Sequence, residues 1–449
     1  MSIKIRKRDI NVFFIGLLFF TFCILLRQFT MSSAIAFCGF IFFCFYLFNE
    51  SPVFLIKYLY VFFTTFSEVV GCLVIEYNDL YLNEIDAYSH YVGALPTLLF
   101  AHWLLIYVIF IVDRILTKDG EQKYGVPDKN TKWMDYICYA VTIFSICIFL
   151  KVIAHPAFLM GLDRFTYGAG GYITGIWAKL ANAIQYLIIV PIIAFVRGKK
   201  KLGLAAIIPY ILYLVWTGNK FGVFFNIFYV FLLCYYEKFV QYNKSKLKKI
   251  LVKLGVIVGA LVGLSLFIIT FSLDTPIQKY FYNRIAQQGE LWWKTYEQCY
   301  EIHPAEFKNE LIALVDSKEA IADNVGSDYG IYNIMYYVAP KQKIDYKLMS
   351  GSRYSCAGFA NIYYYFSYFG LVIHSVIFGV ITAFTVNGVV YSLRSGQYLK
   401  AAILYRLFVA ERGALSMYLF NDLFDGLSFL SYIYLIFLGK KRKIRIGKR

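Results

Sequence analysis

Apolar runs of about twenty residues recur along this chain, and that is the length an α-helix needs to cross the hydrocarbon of a bilayer. Lipid offers no hydrogen bonds, so such runs must satisfy their own backbone and therefore form helices. Candidate spans cover residues 10–26, 32–48, 53–75, 94–116, 136–157, 176–196, 202–216, 221–236, 250–271, 366–390, 401–420 and 423–438. The chain reads as an all-α integral membrane protein with about twelve spans. The seventh and eighth runs are short and can form a tight hairpin. Residues 1–26 are basic and then apolar, lack a small-residue cleavage site and lead at once into another run, so they read as a first helix and not a removed signal.

Composition agrees. Apolar and aromatic residues make up 59% of the chain and charged residues 16%, where a soluble domain carries roughly 45–50% and 25%. No globular core could hide that much hydrocarbon. The net charge of +17 does not point to nucleic acid. The cations stand in short clusters between apolar runs, at 4–8, 197–201, 244–249 and 440–449, as expected of cytoplasmic loops. With the N-terminus inside, twelve crossings put each of these clusters in the cytoplasm, put the C-terminus there too, and leave the acidic loop 76–90 outside.

This orientation makes the long stretch between the ninth and tenth spans extracytoplasmic. The chain then divides into helices 1–9 (residues 1–271), a helical loop domain (272–365), and helices 10–12 with a basic tail (366–449). The loop opens on Thr275-Pro276-Ile277-Gln278, a capping box with proline at the first helical position. A helix from there to about Tyr300 would be amphipathic, carrying Trp292 and Trp293 along the membrane surface. Pro304 with Glu306, and the stretch 328–338, mark further helix starts. Seven of the nine cysteines lie in apolar runs; an extracytoplasmic loop would permit a bridge between the other two, Cys299 and Cys356. In the ninth run Gly255, Gly259 and Gly263 recur four apart, which lets a neighbouring helix approach closely.

Charges inside apolar runs are costly and mark function. Arg406, Glu411 and Arg412 fall in the eleventh run. At about 100° per residue, Arg412 lies about 120° from Arg406, so the three do not share one regular helix face. They serve a site, or Glu411 forms an internal ion pair with an arginine, or both. Lys151 and Lys179 can snorkel to headgroups. At the outer boundary stand Arg164, Lys220, Arg284 and Arg353. Guanidinium forks match phosphate oxygens, so these cations would hold a lipid-linked diphosphate or the headgroups of anionic lipids. Arg164 opens a glycine-rich run ending at Gly175, and Lys220 ends the turn Thr217-Gly218-Asn219-Lys220. No phosphate-binding GxxxxGK[ST] loop is present, which argues against a primary pump, and no Cys/His spacing suggests zinc.

The architecture resembles the Wzy-type polymerases of O-antigen and capsule repeat units, and more loosely the O-antigen ligases. The shared features are about a dozen spans, cations inside and one large outer loop before the last helices. Local stretches are also similar: Arg284-Ile-Ala-Gln-Gln288-Gly-Glu290-Leu-Trp292-Trp293, Gly351-Ser-Arg353-Tyr354, and Ala360-Asn361-Ile-Tyr363 followed by Phe369-Gly370. The Lys220 turn resembles the family's glycine-plus-basic pattern at a helix end. Some members carry an arginine with a glycine eleven residues later. Arg164 and Gly175 fit that spacing, whereas Arg284 and Arg353 are followed there by Thr295 and Tyr364.

The resemblance implies a glycosyltransferase in the bacterial cytoplasmic membrane, joining polyprenyl-diphosphate-linked oligosaccharide repeat units at the outer face. A terminal hydroxyl of one unit would attack the anomeric carbon of another and release polyprenyl diphosphate. Its partners would be that lipid-linked oligosaccharide, membrane lipid, a flippase and a chain-length regulator; it would need no cofactor or metal. Arg353, Arg412 and Glu411 are the expected catalytic residues, since preorganised arginines stabilise charge growing on the leaving diphosphate. Arg164, Lys220, Arg284, Gln288, Tyr354, Arg406, Trp292 and Trp293 would bind substrate, the aromatic rings as stacking surfaces for sugars. Glu411, His303 and Glu290 are alternatives for the base. Two other readings stay open: a ligase handing polymer to a lipid acceptor, and a lipid-linked-oligosaccharide flippase, whose loops would be short on both faces.

Overall fold

The computed structural model describes residues 6–120, 131–157, 159–160, 167, 170–219, 221–253, 255–256, 277–313, 330–350, 352–418 and 420–446. These residues are mostly helical. In chain order the helices are α1 (Lys7–Leu25), α2 (Thr30–Glu50), α3 (Pro52–Lys57), α4 (Leu59–Tyr77), α5 (Ala94–Gly120), α6 (Lys132–Val152), α7 (Ile176–Leu187), α8 (Ile189–Val196), α9 (Lys200–Trp216), α10 (Phe221–Cys234) and α11 (Tyr236–Val240). There follow α12 (Ile277–Ala286), α13 (Glu290–Gln298), α14 (Phe307–Ala313), α15 (Ile331–Val338), α16 (Lys341–Ser350), α17 (Ala357–Arg394), α18 (Tyr398–Met417), α19 (Asn421–Phe424) and α20 (Gly426–Ile446).

Among the described residues six helices are long and apolar enough to cross a membrane: 7–25, 30–50, 59–77, 94–117, 132–152 and 357–394. A seventh is the pair α7–α8, bent by 41°. Pro191 accounts for the bend, because its ring clashes with the carbonyl four residues back, at Leu187. The expected third span is also broken, into α3 and α4 at Tyr58. The expected seventh, eighth, eleventh and twelfth spans are helices too, but shorter or more charged; α18 carries Lys400, Arg406, Glu411 and Arg412. Most of the expected ninth span, with Gly259 and Gly263, lies outside the described residues.

Helix α5 forms the axis. Its apolar window is 83% buried, against 17% for α1 at the periphery, and it packs on α1, α2, α4, α13 and α17. At one end of the bundle, called here the basic end, cations meet carboxylates. Arg114 pairs with Asp9 at 2.5 Å and Glu50 at 3.2 Å, Arg8 with Glu50 at 2.9 Å, and Lys199 with Asp135 at 2.6 Å. Deeper in, Lys57 Nζ lies 2.7 Å from Asp113 Oδ1, which also accepts from Tyr58 and Asn387 at 2.8 and 2.9 Å. That cluster ties α3, α5 and α17 together at the point where α3 gives way to α4.

The opposite, loop end is built from residues 277–313, 330–350 and 352–356 and a two-stranded hairpin pairing Tyr81 with Tyr88 and Leu82 with Ala87. Tyr354 donates to the Glu84 carbonyl at 2.6 Å, and Lys343 to the Asn83 carbonyl at 2.6 Å. Segment 277–298 does not form one amphipathic surface helix. It is two helices, α12 and α13, joined by a turn that packs into the bundle against α4, with α13 also touching α5 and α17. The contact is backbone to backbone: a Cβ on Gly71 would stand 2.7 Å from the Gly289 nitrogen, and one on Gly289 2.5 Å from the Cys72 nitrogen. Only glycine at both positions permits that approach.

The tenth expected span begins earlier than its apolar run suggests, at Ala357. It turns a corner at Ser367, whose φ of 52° and ψ of −140° are not helical. The nine cysteines are all free. Cys356 packs beside Glu68 on α4, whereas Cys299 lies by the Tyr364 carbonyl. Eight residues of helix separate those two places, about 12 Å at 1.5 Å per residue, beyond the reach of a disulfide. The bridge allowed by the sequence is therefore not formed.

Candidate functional site

One face of α4 organises the polar interior. Tyr60, Thr64, Ser67 and Gly71 recur at i, i+4, i+7 and i+11, the spacing that aligns side chains along a helix. At the Gly71 end sits the α12–α13 turn, with the Ser67 hydroxyl 3.5 Å from Gln288 Oε1. At the Tyr60 end, the Arg412 guanidinium lies over the Tyr60 ring, 4.4 Å from its centroid. Arg412 Nη1 donates to Asn226 Oδ1 at 2.8 Å, and Asn226 Nδ2 in turn donates to the Tyr405 hydroxyl at 3.0 Å. The guanidinium is thus oriented by an aromatic face and an amide, and among the described residues no carboxylate stands within ion-pairing distance of it. It is half-buried.

The other charges of α18 go elsewhere. Glu411 is buried and accepts from Thr385 at 2.7 Å and from Thr382, both on α17. Arg406 holds Asp425 at 2.6 and 2.7 Å and Ser428 at 2.6 Å. The expected Glu411–arginine pair is not made: the three residues point to three neighbours, as their angular spacing requires. Glu411 and Arg406 serve as clamps on α17 and on the α19–α20 turn.

At the loop end several expected substrate contacts are structural. Trp292 and Trp293 have no exposed surface; their indole nitrogens donate to the Ala94 and His90 carbonyls, each at 3.1 Å. They anchor α13 and present no open face to a sugar. Tyr354 is likewise buried, held by Glu84. Arg353 is half-buried with its guanidinium 5.3 Å from the Tyr332 centroid, and Arg284 is exposed and donates to Gln287 at 2.6 Å. Arg164 and Lys220 lie outside the described residues. The structure therefore brings Arg412 and Gln288 onto one helix face and leaves Arg284, Arg353 and Arg406 apart from it.

Of the alternative bases, His303 stacks on Tyr364 at 4.3 Å with its Nδ1 3.5 Å from Glu306. Glu290 is buried, and its Oε2 has no hydrogen-bond partner. Burial, reinforced by Glu84 and opposed by Lys347 and Lys343, pushes its carboxyl up to about 8. At neutral pH it is therefore the acid form that persists.

A second polar group was not singled out from the sequence. On α4 and α5, Thr65 Oγ1 lies 3.0 Å from His102 Nδ1, and His102 Nε2 lies 3.1 Å from Glu68 Oε2 without hydrogen-bond alignment. All three are buried. The rule applied to Arg406 and Glu411, that a charge within an apolar run is a candidate, finds Glu68, and also Lys57 and Asp113. Among the described residues no group of three or more His, Cys, Asp or Glu side chains is placed to hold a metal.

A cavity of about 470 Å³ opens at the loop end between Arg27, His90, Tyr296, Glu297, Tyr363 and Tyr368. Residues 324–433, about a quarter of the chain, match a family described only as a family of unknown function (DUF6418). That stretch takes in Arg353, the Ser367 corner, Glu411 and Arg412. No curated protein and no solved structure matches the chain.

Proposed function

We propose that the chain is a multi-pass protein of the bacterial cytoplasmic membrane, with both termini in the cytoplasm, and that it joins polyprenyl-diphosphate-linked oligosaccharide units at the outer face. The observation that carries this reading is the shared face of α4. It bears an arginine with neutral partners at one end and the inserted turn of the long loop at the other. Tyr60 and Gly71 are eleven residues apart, about 16 Å at 1.5 Å per residue. A substrate with a lipid tail, a charged diphosphate and a hydrophilic sugar needs a polar surface that runs from the loop into the bundle.

In the reaction proposed, a hydroxyl of the acceptor unit bonds to the anomeric carbon as the bond from that carbon to the diphosphate breaks, and the hydroxyl's proton passes to the departing diphosphate. Negative charge grows on the diphosphate. A guanidinium already oriented by Asn226 and Tyr60 stabilises that charge without reorganising. Gln288, at the tip of the turn, offers an amide to sugar hydroxyls.

Deletion of the gene tests the reading. It predicts surface glycan reduced to a single capped repeat unit. A full ladder of chain lengths in the deletion strain would sink it, and polymer stranded on the carrier lipid would make the protein a ligase.

A further inference from the structure

The loop-end cavity of about 470 Å³ plays no part in the reaction described above, and four of its lining side chains are tyrosines: Tyr296, Tyr300, Tyr363 and Tyr368. Its size falls within the roughly 300–1,000 Å³ of sites for small ligands. Three of the rings are already engaged. Tyr296 stacks on Tyr363 with centroids 5.3 Å apart, Tyr368 meets Tyr363 edge-on at 5.7 Å, and the Arg27 guanidinium lies 5.8 Å over the Tyr296 ring. Tyr300 is different. It is 90% exposed, and among the described residues no ring or cation covers it.

The cavity carries both signs of charge. Arg27 Nη1 donates to the hydroxyls of Tyr296 at 2.8 Å and Tyr368 at 3.0 Å, and the rest of its fork has no acceptor among the described residues. Two carboxylates share the lining. Glu297 is held by His90 at 3.0 Å and Lys294 at 2.5 Å, whereas Glu301 has no ion pair among the described residues. An anion would meet both carboxylates. An ammonium ligand would meet the arginine, and it would find one open aromatic face where a cage needs several. An apolar ligand would strip water from all these charges. A sugar hydroxyl both donates and accepts, so it can bridge a fixed guanidinium donor and a fixed carboxylate acceptor. The C–H face of a sugar ring is apolar and suits an open aromatic surface such as Tyr300.

We propose that this cavity binds a neutral pyranose unit of a glycan chain, stacked on Tyr300, with its hydroxyls shared between Arg27 and the carboxylates of Glu297 and Glu301. The assignment rests on the glycan reading above and gives it a sugar site. It moves sugar recognition from Trp292 and Trp293, which are buried, to a ring that is open. Ser367, held at a left-handed φ of 52°, forms part of the same wall, and strained residues of this kind cluster at ligand clamps.

The test places a photoreactive p-benzoylphenylalanine at Ile302, a 56% exposed residue of the same wall, in the full chain in its own cells. After irradiation, the peptide carrying position 302 should release sugar oxonium ions on fragmentation, whereas a probe at the exposed Tyr88 of the hairpin should not. Adding Tyr300→Ala to the chain probed at 302 should lower the sugar adduct about tenfold, and Tyr300→Trp should keep it. Arg27→Gln should lower it about tenfold too, the loss of roughly one charge-assisted hydrogen bond. The amount of each variant in the membrane fraction separates lost binding from lost chain. Three results overturn the proposal: no sugar adduct at 302, a lipid or protein adduct in its place, or a sugar adduct indifferent to Tyr300→Ala. The site and the polymerase reading fail separately. A full glycan ladder in the deletion strain, together with the adduct, would remove the reading and keep the site; a collapsed ladder with no adduct would remove the site alone.

Discussion

Cations in the bundle are held in two ways, and several pair with carboxylates, including Lys294, Lys343 and Lys347 at the loop end. At the basic end Arg8, Arg114, Lys57 and Lys199 each stand against a carboxylate. Arg27, at the loop end, and Arg412, at the Tyr60 end of α4, are held instead by tyrosines and an asparagine. A guanidinium facing a carboxylate has little attraction left for a third group. One oriented by neutral hydroxyls and amides is kept in place with its charge unspent, the condition for receiving an anion. Carboxylate-paired cations thus tie elements together, whereas Arg27 and Arg412 are positioned by neutral groups.

Lys57→Met is the strongest way to break this contrast. It leaves Asp113 buried without its counter-ion and should lower unfolding stability in detergent by about 3–5 kcal/mol. An unchanged melting transition would mean that the basic end is not held by its pairs. Arg412→Ala should reduce chain extension by roughly 10²–10³-fold, the scale of removing one preorganised donor, while the protein remains in the membrane at normal level. Glycan length distributions on a complemented deletion strain measure this, and a normal distribution would remove Arg412 from the site.

The third prediction concerns pH. The Glu290 carboxyl is raised to about 8 by burial and by Glu84, so folding favours its protonated form. Its contribution to stability is full below the ordinary carboxylate range and is lost as pH rises to about 8. Melting temperature should therefore fall across that window, and Glu290→Gln should flatten the curve. A parallel slope in the variant would assign the loss elsewhere. The smallest effect is expected at the exposed Lys199–Asp135 pair, where Lys199→Ala should change stability by less than about 1 kcal/mol. A larger loss would show that even the rim of the basic end is structural.

Much of the fold is legible in the sequence, because a long apolar run can do little except form a helix. The runs beginning near Ile10, Ser32, Ala94 and Tyr136 become α1, α2, α5 and α6 with ends shifted by a few residues. What is not legible depends on partners distant in the chain. Tyr58, where its span breaks, gives its hydroxyl bond to Asp113, 55 positions on. Trp292 and Trp293 look like surface anchors by composition, but the Gly71–Gly289 contact draws their helix inward. The candidate site shows the same division. Arg412 stands out as a charge in an apolar run, whereas its partner Asn226, 186 positions away, carries no local signal. Arg353 and Tyr354 sit in a stretch that resembles a family, yet resemblance gives no direction to a side chain.

Ser367 makes α17 two rods joined at a fixed corner. A non-glycine residue at φ 52° and ψ −140° costs roughly 1–3 kcal/mol and persists only where its surroundings hold it. Tyr363 and Tyr368 lie on opposite sides of that corner with their rings 5.7 Å apart, and both line the loop-end cavity. The ring contact across the corner braces the angle between the two rods. The short rod, residues 357–366, carries Asn361, Tyr364 and Tyr365 and packs against α13 and α15, so the corner fixes how that segment sits on both. Hydrogen exchange across 357–366, compared between Ser367→Gly and the unmutated chain, would reveal whether that corner flexes.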